Sequence, residues 1–361
     1  MLRQFCDMKK FWEHYINLVK RYIPEPKAKT CVGLDIGVSS CKMVTLKPKG
    51  SSYELLGWAI EPVDANDAAS SVKKILSRCS DPEASPVTSL SGKGTLIRYV
   101  DMPKLSKEDL KKSFVYEADK YLPFSMQDIY ADCFILDSHL AGAKMLVMIA
   151  AAKKELVDHR VKLCSEVGIV PDVITLDPLA LVNVYQHFGS VHKIHKETGV
   201  EKNGVAILDM GDRVTTLNIL VGDMPRFSRD ISWGGSELIK SIVRSLNVTP
   251  EEAERLKLDP GDRKAQVLEA VEAVFANLIS ELRMSFDYFL TENNVSISVL
   301  LLTGGVSLFW GLEEIFKDAL EVHVELWDPF KDLELSPELS REELLKVSGQ
   351  LGVALGRALN R

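Results

Sequence analysis

Two stretches half a chain apart carry the same design, and that repetition constrains the fold more than any other feature. Residues 31–46 read CVGLDIGVSSCKMVTL: an apolar strand (Val32–Ile36) with Asp35 at its end, a turn holding Gly37, Ser39 and Ser40, then a second strand-like run (Lys42–Leu46). Residues 205–220 read VAILDMGDRVTTLNIL: strand, Asp209, Gly211, the hydroxyls Thr215 and Thr216, strand. Each is expected to form a β-hairpin. A Gly in such a turn lets the backbone bend and approach a ligand closely, because it has no Cβ. Successive N–H groups and hydroxyls there form a concavity suited to phosphate oxygens. Lys42 adds a positive charge, and Asp35 a carboxylate able to hold Mg²⁺ through water. An Asp before Gly at a strand end is also a common turn former, so one copy says little. Two matched copies imply two related lobes, each pointing a carboxylate and a Gly turn at a shared cleft.

A third element follows in Val299–Leu312, VLLLTGGVSLFWGL, an apolar run into Thr303-Gly304-Gly305 and then a helix. A buried strand that ends in Gly-Gly and opens onto a helix N-terminus lets a flat ligand or a phosphate approach the backbone. This chain order resembles the phosphate-1, phosphate-2 and adenosine segments of the actin, sugar-kinase and heat-shock-chaperone ATPase superfamily.

The totals narrow the class. A chain of 361 residues is long enough for two domains at ~100–200 residues each. Its 46% hydrophobic and 26% charged content is that of an ordinary globular protein. A net charge of −7 argues against nucleic acid as a partner, since that needs a basic footprint. The six cysteines are scattered without a CxxC pair, which fits a reducing cytoplasm better than a zinc site or a disulfide framework. No apolar run approaches the ~20 residues of a membrane span.

Residues 1–29 stand apart. Phe5, Met8, Trp12, Tyr15, Ile16, Val19 and Ile23 recur at helical spacing among an excess of basic residues, and Pro24 and Pro26 end the run. Such a basic amphipathic helix can lie on a membrane surface or a partner, or dock on its own domain. Farther on, a strand at Leu96–Met102, a helix at Ser106–Leu122, strands at Tyr130–Asp137 and Lys144–Ala152, a helix at Lys153–Gly168 and a strand at Pro171–Leu176 read as a separable β-α-β-β-α-β module. The module holds no cluster of catalytic residue types, which suggests a docking role. Glu269–Phe289 reads as a long amphipathic helix, residues 328–341 as an irregular excursion, and Leu344–Leu359 as a closing helix.

Beyond the nucleotide motifs, the segments LIRYVDMP…YEADKYLPF, RDISWGGSELIKSI, ELRMSFDYF and GVALGRAL make the chain resemble the FtsA/PilM family over about residues 30–361. The resemblance implies an α/β, actin-like (ribonuclease H-like, duplicated) two-lobe ATPase fold with an inserted FtsA/PilM-type subdomain. The implied parts are a first lobe at 30–94 plus 177–200, the insert at 95–176, and a second lobe at 201–361, with a return of its last helix to lobe one left open. It implies ATP with Mg²⁺, with Asp35, Gly37, Ser39, Ser40 and Lys42 as phosphate-1 and Asp209, Gly211, Thr215 and Thr216 as phosphate-2. Gly304, Gly305 and Val306 match the adenosine motif, and Asp35 and Asp209 would hold Mg²⁺ through water. Asp177 stands where relatives often orient the attacking water with a Glu or Gln, one methylene longer. Asp212-Arg213-Val214 replaces the smaller residues common in phosphate-2. Both departures fit weak or no hydrolysis.

The family also implies a partner, the cytoplasmic tail of a PilN-like inner-membrane protein, with Ser106–Phe124 and the neighbouring strand as its expected seat. The expected function is a cytoplasmic ATP-binding scaffold of a type IV pilus assembly platform, peripheral to the inner membrane. A cell-division tether of the FtsA kind, the platform component of a type II secretion system, and a true ATPase or kinase stay open as alternatives, as does self-association.

Overall fold

The computed structural model describes residues 30–359 apart from 51, 65, 80, 82, 83, 85, 172 and 189–202. The amphipathic helix expected over residues 1–29 lies outside the described residues.

The first hairpin forms from β1 (Cys31–Ile36) and β2 (Ser40–Lys49), antiparallel with Asp35 opposite Lys42. The second forms from β9 (Gly204–Met210) and β10 (Thr215–Val221), with Asp209 opposite Thr216. Each is extended by a third antiparallel strand, β3 (Ser52–Pro62) or β11 (Met224–Ile231). On the other side of each hairpin lie parallel strands: β4 (Pro86–Leu90) and β8 (Ile174–Leu176) beside β1, β12 (Ile297–Thr303) and β13 (His323–Leu326) beside β9. The two sheets therefore share the order third–second–first–fourth–fifth strand. That is the duplication the paired motifs predict. Val32 to Asp35 and Gly204 to Leu208 are buried, as central strands covered on both faces must be, which is why both read as continuous apolar runs.

Between β4 and β8 the chain builds a three-stranded sheet from β5 (Thr95–Pro103), β6 (Ile129–Leu140) and β7 (Lys144–Lys153), with β7 central. Helix α2 (Lys107–Glu117), N-capped by Ser106 and carrying Glu108 and Asp109 in its first turn, covers one face. Helix α1 (Ala68–Leu76) belongs to the connection between β3 and β4. Period-two alternation sorts the side chains of β7: Val147, Ile149 and Ala151 pack under Leu110 and Phe114 of α2, while Met148 and Ala152 pack against Leu90 and Leu176.

The expected β-α-β-β-α-β module is corrected here. Ile174–Leu176 pairs in parallel with β4 and completes the first large sheet instead of joining the small one. Helix α3 (Lys154–Glu166) packs Leu163 against Val72 and Ile75 of α1. All five residues of β4 are buried, so its free edge needs a strand there to satisfy backbone groups.

After β8 comes α4 (Asp177–Phe188), whose Val182 and Tyr185 pack on Val205, Ile207 and Leu301 of the second sheet. The second lobe adds α5 (Gly235–Leu246), α6 (Pro250–Leu258, capped by Thr249), the long α7 (Lys264–Asn293) and α8 (Leu312–Ala319). The excursion at 328–341 contains β14 (Glu334–Leu335), which pairs with β3 and ties this end of the chain to the first sheet. The expected closing helix is broken: α9 (Arg341–Leu345), a 3₁₀ turn at Ser348–Leu351, then α10 (Gly352–Ala358).

Helix α10 is buried along its whole length and lies on β1 and α4. A Cβ at Gly356 would overlap the Ala180 carbonyl of α4, and one at Gly33 would overlap the Ala354 carbonyl of α10. The glycines let the backbones touch. Gly356→Ala is accordingly expected to destabilise by about 1–3 kcal/mol through overpacking. Gly57→Ala, which meets no atom within 4 Å, should stay near wild type. Urea unfolding of the two variants checks this.

Candidate functional site

The two Gly turns face one another across a cleft of 270 Å³. They are the same turn: Gly37 N–H donates to the Ser40 carbonyl at 3.1 Å, and Gly211 N–H to the Val214 carbonyl at 3.1 Å. Asp35, Gly37, Ser39, Lys42, Asp177, Asp209, Gly211, Thr216, Gly304 and Gly305 all line the cleft. Gly304 sits at φ 90°, where a side chain would be strained and would run into Asp209.

Three expected residues lie elsewhere. Ser40 opens β2 and pairs with Pro62 outside the lining. Thr215 is buried and donates its hydroxyl to the Trp233 carbonyl at 2.9 Å. Val306 packs into the core of the second lobe. Gly234-Gly235 props the second turn from behind. Gly235 N–H donates to Gly211, and Ser236 N–H to Asp212, each at 2.9 Å. A Cβ at Gly234 would overlap Asp212.

Matched backbones carry unmatched charges. Lys42, opposite Asp35, binds Asp35 Oδ2 at 3.1 Å, and Arg357 of α10 binds Oδ1 at 3.1 Å. Burial alone would raise the Asp35 pKa, but Lys42 and then Arg357 outweigh it and hold it at about 2. Opposite Asp209 stands Thr216, whose hydroxyl is spent on Asp230 at 2.8 Å. Asp209 forms no ion pair among the described residues. Burial, then the nearby carboxylates Asp177 and Asp35, push its pKa to about 7.

Arg357 does more than pair with Asp35. Its guanidinium, 1% exposed, donates to the Leu34 carbonyl at 2.6 Å and to Asp177 Oδ1 at 2.6 Å. Ser89 also donates to Asp177 Oδ1. One buried cation thereby joins the end of β1 to the start of α4. Sequence reasoning missed it, although an arginine inside the small, apolar run GVALGRAL is itself a signal, because a buried charge requires partners. Arg160 of α3 was missed as well. It lines the cleft and donates to Thr88 Oγ1 at 3.1 Å and to the Ile36 carbonyl at 3.2 Å. Nothing in its local sequence marks it.

The two aspartates give opposite pH signatures in ligand-free protein. The Asp35 pKa is lower folded than unfolded, so its stabilisation is present above pH ~4 and lost as pH falls toward 2. The Asp209 pKa is higher folded, so stability falls as pH rises from ~4 to about 7 and stays reduced above. Asp209→Asn should therefore stabilise the protein at pH 8, by of order 2 kcal/mol after allowing for solvent contact at the cleft, and have little effect at pH 4. Denaturant melts at the two pH values test this. Arg357→Met, which leaves Asp177 without its cation and Asp35 with Lys42 alone, should cost about 3–5 kcal/mol, partly recovered by adding Asp177→Asn.

The comparisons agree with this geometry. A family described as type IV pilus assembly protein PilM matches residues 33–361. Among solved structures, the PilM–PilN type IV pilus biogenesis complex is similar at 26% identity and a TM-score of 0.79, covering 92% of this chain and 98% of the other. The ethanolamine utilization protein EutJ from Carboxydothermus hydrogenoformans shares the fold at 14% identity and a TM-score of 0.50, covering 93% and 90%. The cell division protein FtsA of Streptococcus pneumoniae is 20% identical over 353 residues, 82% of this chain and 75% of the relative. The actin-like fold that the family resemblance implies is the fold found, and the chain belongs to the PilM family of type IV pilus assembly proteins.

Proposed function

We propose that this protein is a cytoplasmic, ATP-binding scaffold of a type IV pilus inner-membrane platform that docks the cytoplasmic tail of a PilN-like membrane protein. The carrying observation is the likeness, over almost the whole chain, to a PilM–PilN complex. Among the described residues no helix is long and apolar enough to cross a membrane, so the scaffold would reach the inner membrane through its partner.

Of the expected seat for that tail, this reading keeps the neighbouring strand, β6, and not the helix. Helix α2 spends Leu110 and Phe114 on its own sheet. The opposite face of the small sheet instead borders a largely apolar groove of 610 Å³, between β6 and β7 on one side and β8 and α4 on the other. Tyr130, Phe134 and Val173 on its walls are 50%, 47% and 42% exposed, which is costly apolar surface for a groove without an occupant.

The nucleotide reading rests on the cleft. Lys42 and the Gly37–Ser39 turn face Gly211 and Thr216 across a gap that admits phosphates, and Gly304-Gly305 leaves room for a flat base. A further groove, running along α5 past Ile239 and Lys240, shares Asp212 with the cleft. The residues fit Mg²⁺ unequally. Asp209, unpaired and with a raised pKa, has the chemistry of a carboxylate awaiting a cation. Both oxygens of Asp35 are engaged by Lys42 and Arg357, leaving it a water-mediated part. Asp177, held by Ser89 and Arg357, would orient a water, and its short side chain fits slow or absent turnover.

Calorimetry with Mg-ATP and with a peptide of the PilN-like tail tests both halves. Asp35→Ala/Asp209→Ala should abolish ATP binding. Phe134→Asp should weaken the peptide roughly tenfold or more while leaving ATP affinity unchanged. ATP retained by the double variant would sink the nucleotide site, and peptide binding indifferent to Phe134→Asp would sink the groove.

A further inference from the structure

The nucleotide cleft and the apolar groove are separate cavities that share a wall. Leu90, at the end of β4, lines both. So does α3, one residue at a time: Leu156, His159 and Arg160 face the cleft, whereas Val157 faces the groove. The helix is also bonded to the groove's far wall. Asp158 accepts from the Tyr130 hydroxyl at 3.4 Å, and the Lys154 ammonium lies 5.6 Å from the Tyr130 ring centroid. On its other side Arg160 ties α3 to the Ile36 carbonyl, between Asp35 and Gly37 of the phosphate-facing turn.

We propose that Arg160 reads a phosphate group in the cleft and that α3 passes the result to Tyr130 at the groove. This rests on the nucleotide reading of the cleft and goes beyond it by naming the sensing residue and the element that carries the response. The chemistry favours Arg160. A guanidinium has five N–H donors in a planar fork, and the bonds of Arg160 to Thr88 and Ile36 leave donors that, among the described residues, can meet a phosphate oxygen. Lys42 is held by Asp35, and Arg357 is buried against Asp35 and Asp177. A phosphate that draws Arg160 from the Ile36 carbonyl displaces α3 by its middle turn. Lys154 and Asp158 stand on that same helix, six and two residues before Arg160, so Tyr130 moves with it. The bistable contact is thus the bond between α3 and the turn, and the phosphate biases it.

The test uses the full chain labelled with 3-fluorotyrosine, with the Tyr130 resonance assigned through Tyr130→Phe. Mg-ATPγS is titrated into wild type, Arg160→Lys and Arg160→Ala, and nucleotide binding is measured separately by calorimetry. The wild-type Tyr130 resonance should shift on saturation by more than its linewidth. Arg160→Ala should bind roughly tenfold more weakly, as expected for one charge-assisted contact, and show no shift even at saturation. Arg160→Lys keeps the charge and guards against a folding failure. It cannot span Thr88 and Ile36 together, so it should bind nucleotide and lose the shift. A Tyr130 shift that survives in a saturated Arg160 variant, or a wild type that binds nucleotide without any shift, overturns the inference alone. A wild type that binds no nucleotide overturns the cleft reading and this inference together.

Discussion

A guanidinium buried at 1% exposure holds the centre of this molecule together. Arg357 reaches from the last helix to the Leu34 carbonyl, the Asp35 carboxylate and the Asp177 carboxylate. Taking such a cation out of water is expensive, and two carboxylates and a backbone carbonyl offset that cost. The rest of the central architecture follows from supplying them. Gly33 and Gly356 bring α10 into backbone contact with β1 and α4, and Ser89 shares the load on Asp177. The first carboxylate of the cleft, the helix that joins the lobes and the closing helix are therefore one electrostatic unit, although they lie far apart in the chain.

Duplication gave the cleft its symmetry, and substitution at one cross-strand position gave it polarity. Both hairpins make the same turn and present an aspartate at the same place. Lys42 faces one aspartate and Thr216 the other, and the pKa values separate to about 2 and about 7. A settled ion pair thus stands across the cleft from a carboxylate that has no ion-pair partner among the described residues. This arrangement gives a charged ligand a direction in which to bind.

Much of this was legible in the residues. The paired hairpins and the Gly-Gly turn are local patterns, set by alternation and by glycine chemistry. The insert was legible as a set of elements but not as a module. The sequence of Ile174–Leu176 suits any sheet edge, and pairing with β4 was decided by which edge lay open. The groove was hidden for a related reason. Alternation shows that β7 has two faces, yet nothing in it says which one α2 covers. Val306 and Thr215 matched a motif and turned inward, since a motif position does not specify the direction of its side chain.

What the sequence by itself determined is the repeated strand–turn–strand unit, because φ/ψ preferences and period-two burial act over a few neighbouring residues. Tertiary structure alone decided which charges meet. Arg357 and Asp35 are separated by most of the chain, and Arg160 and Ile36 by more than a hundred residues. Electrostatic partners are chosen by distance in space, and no local propensity encodes it.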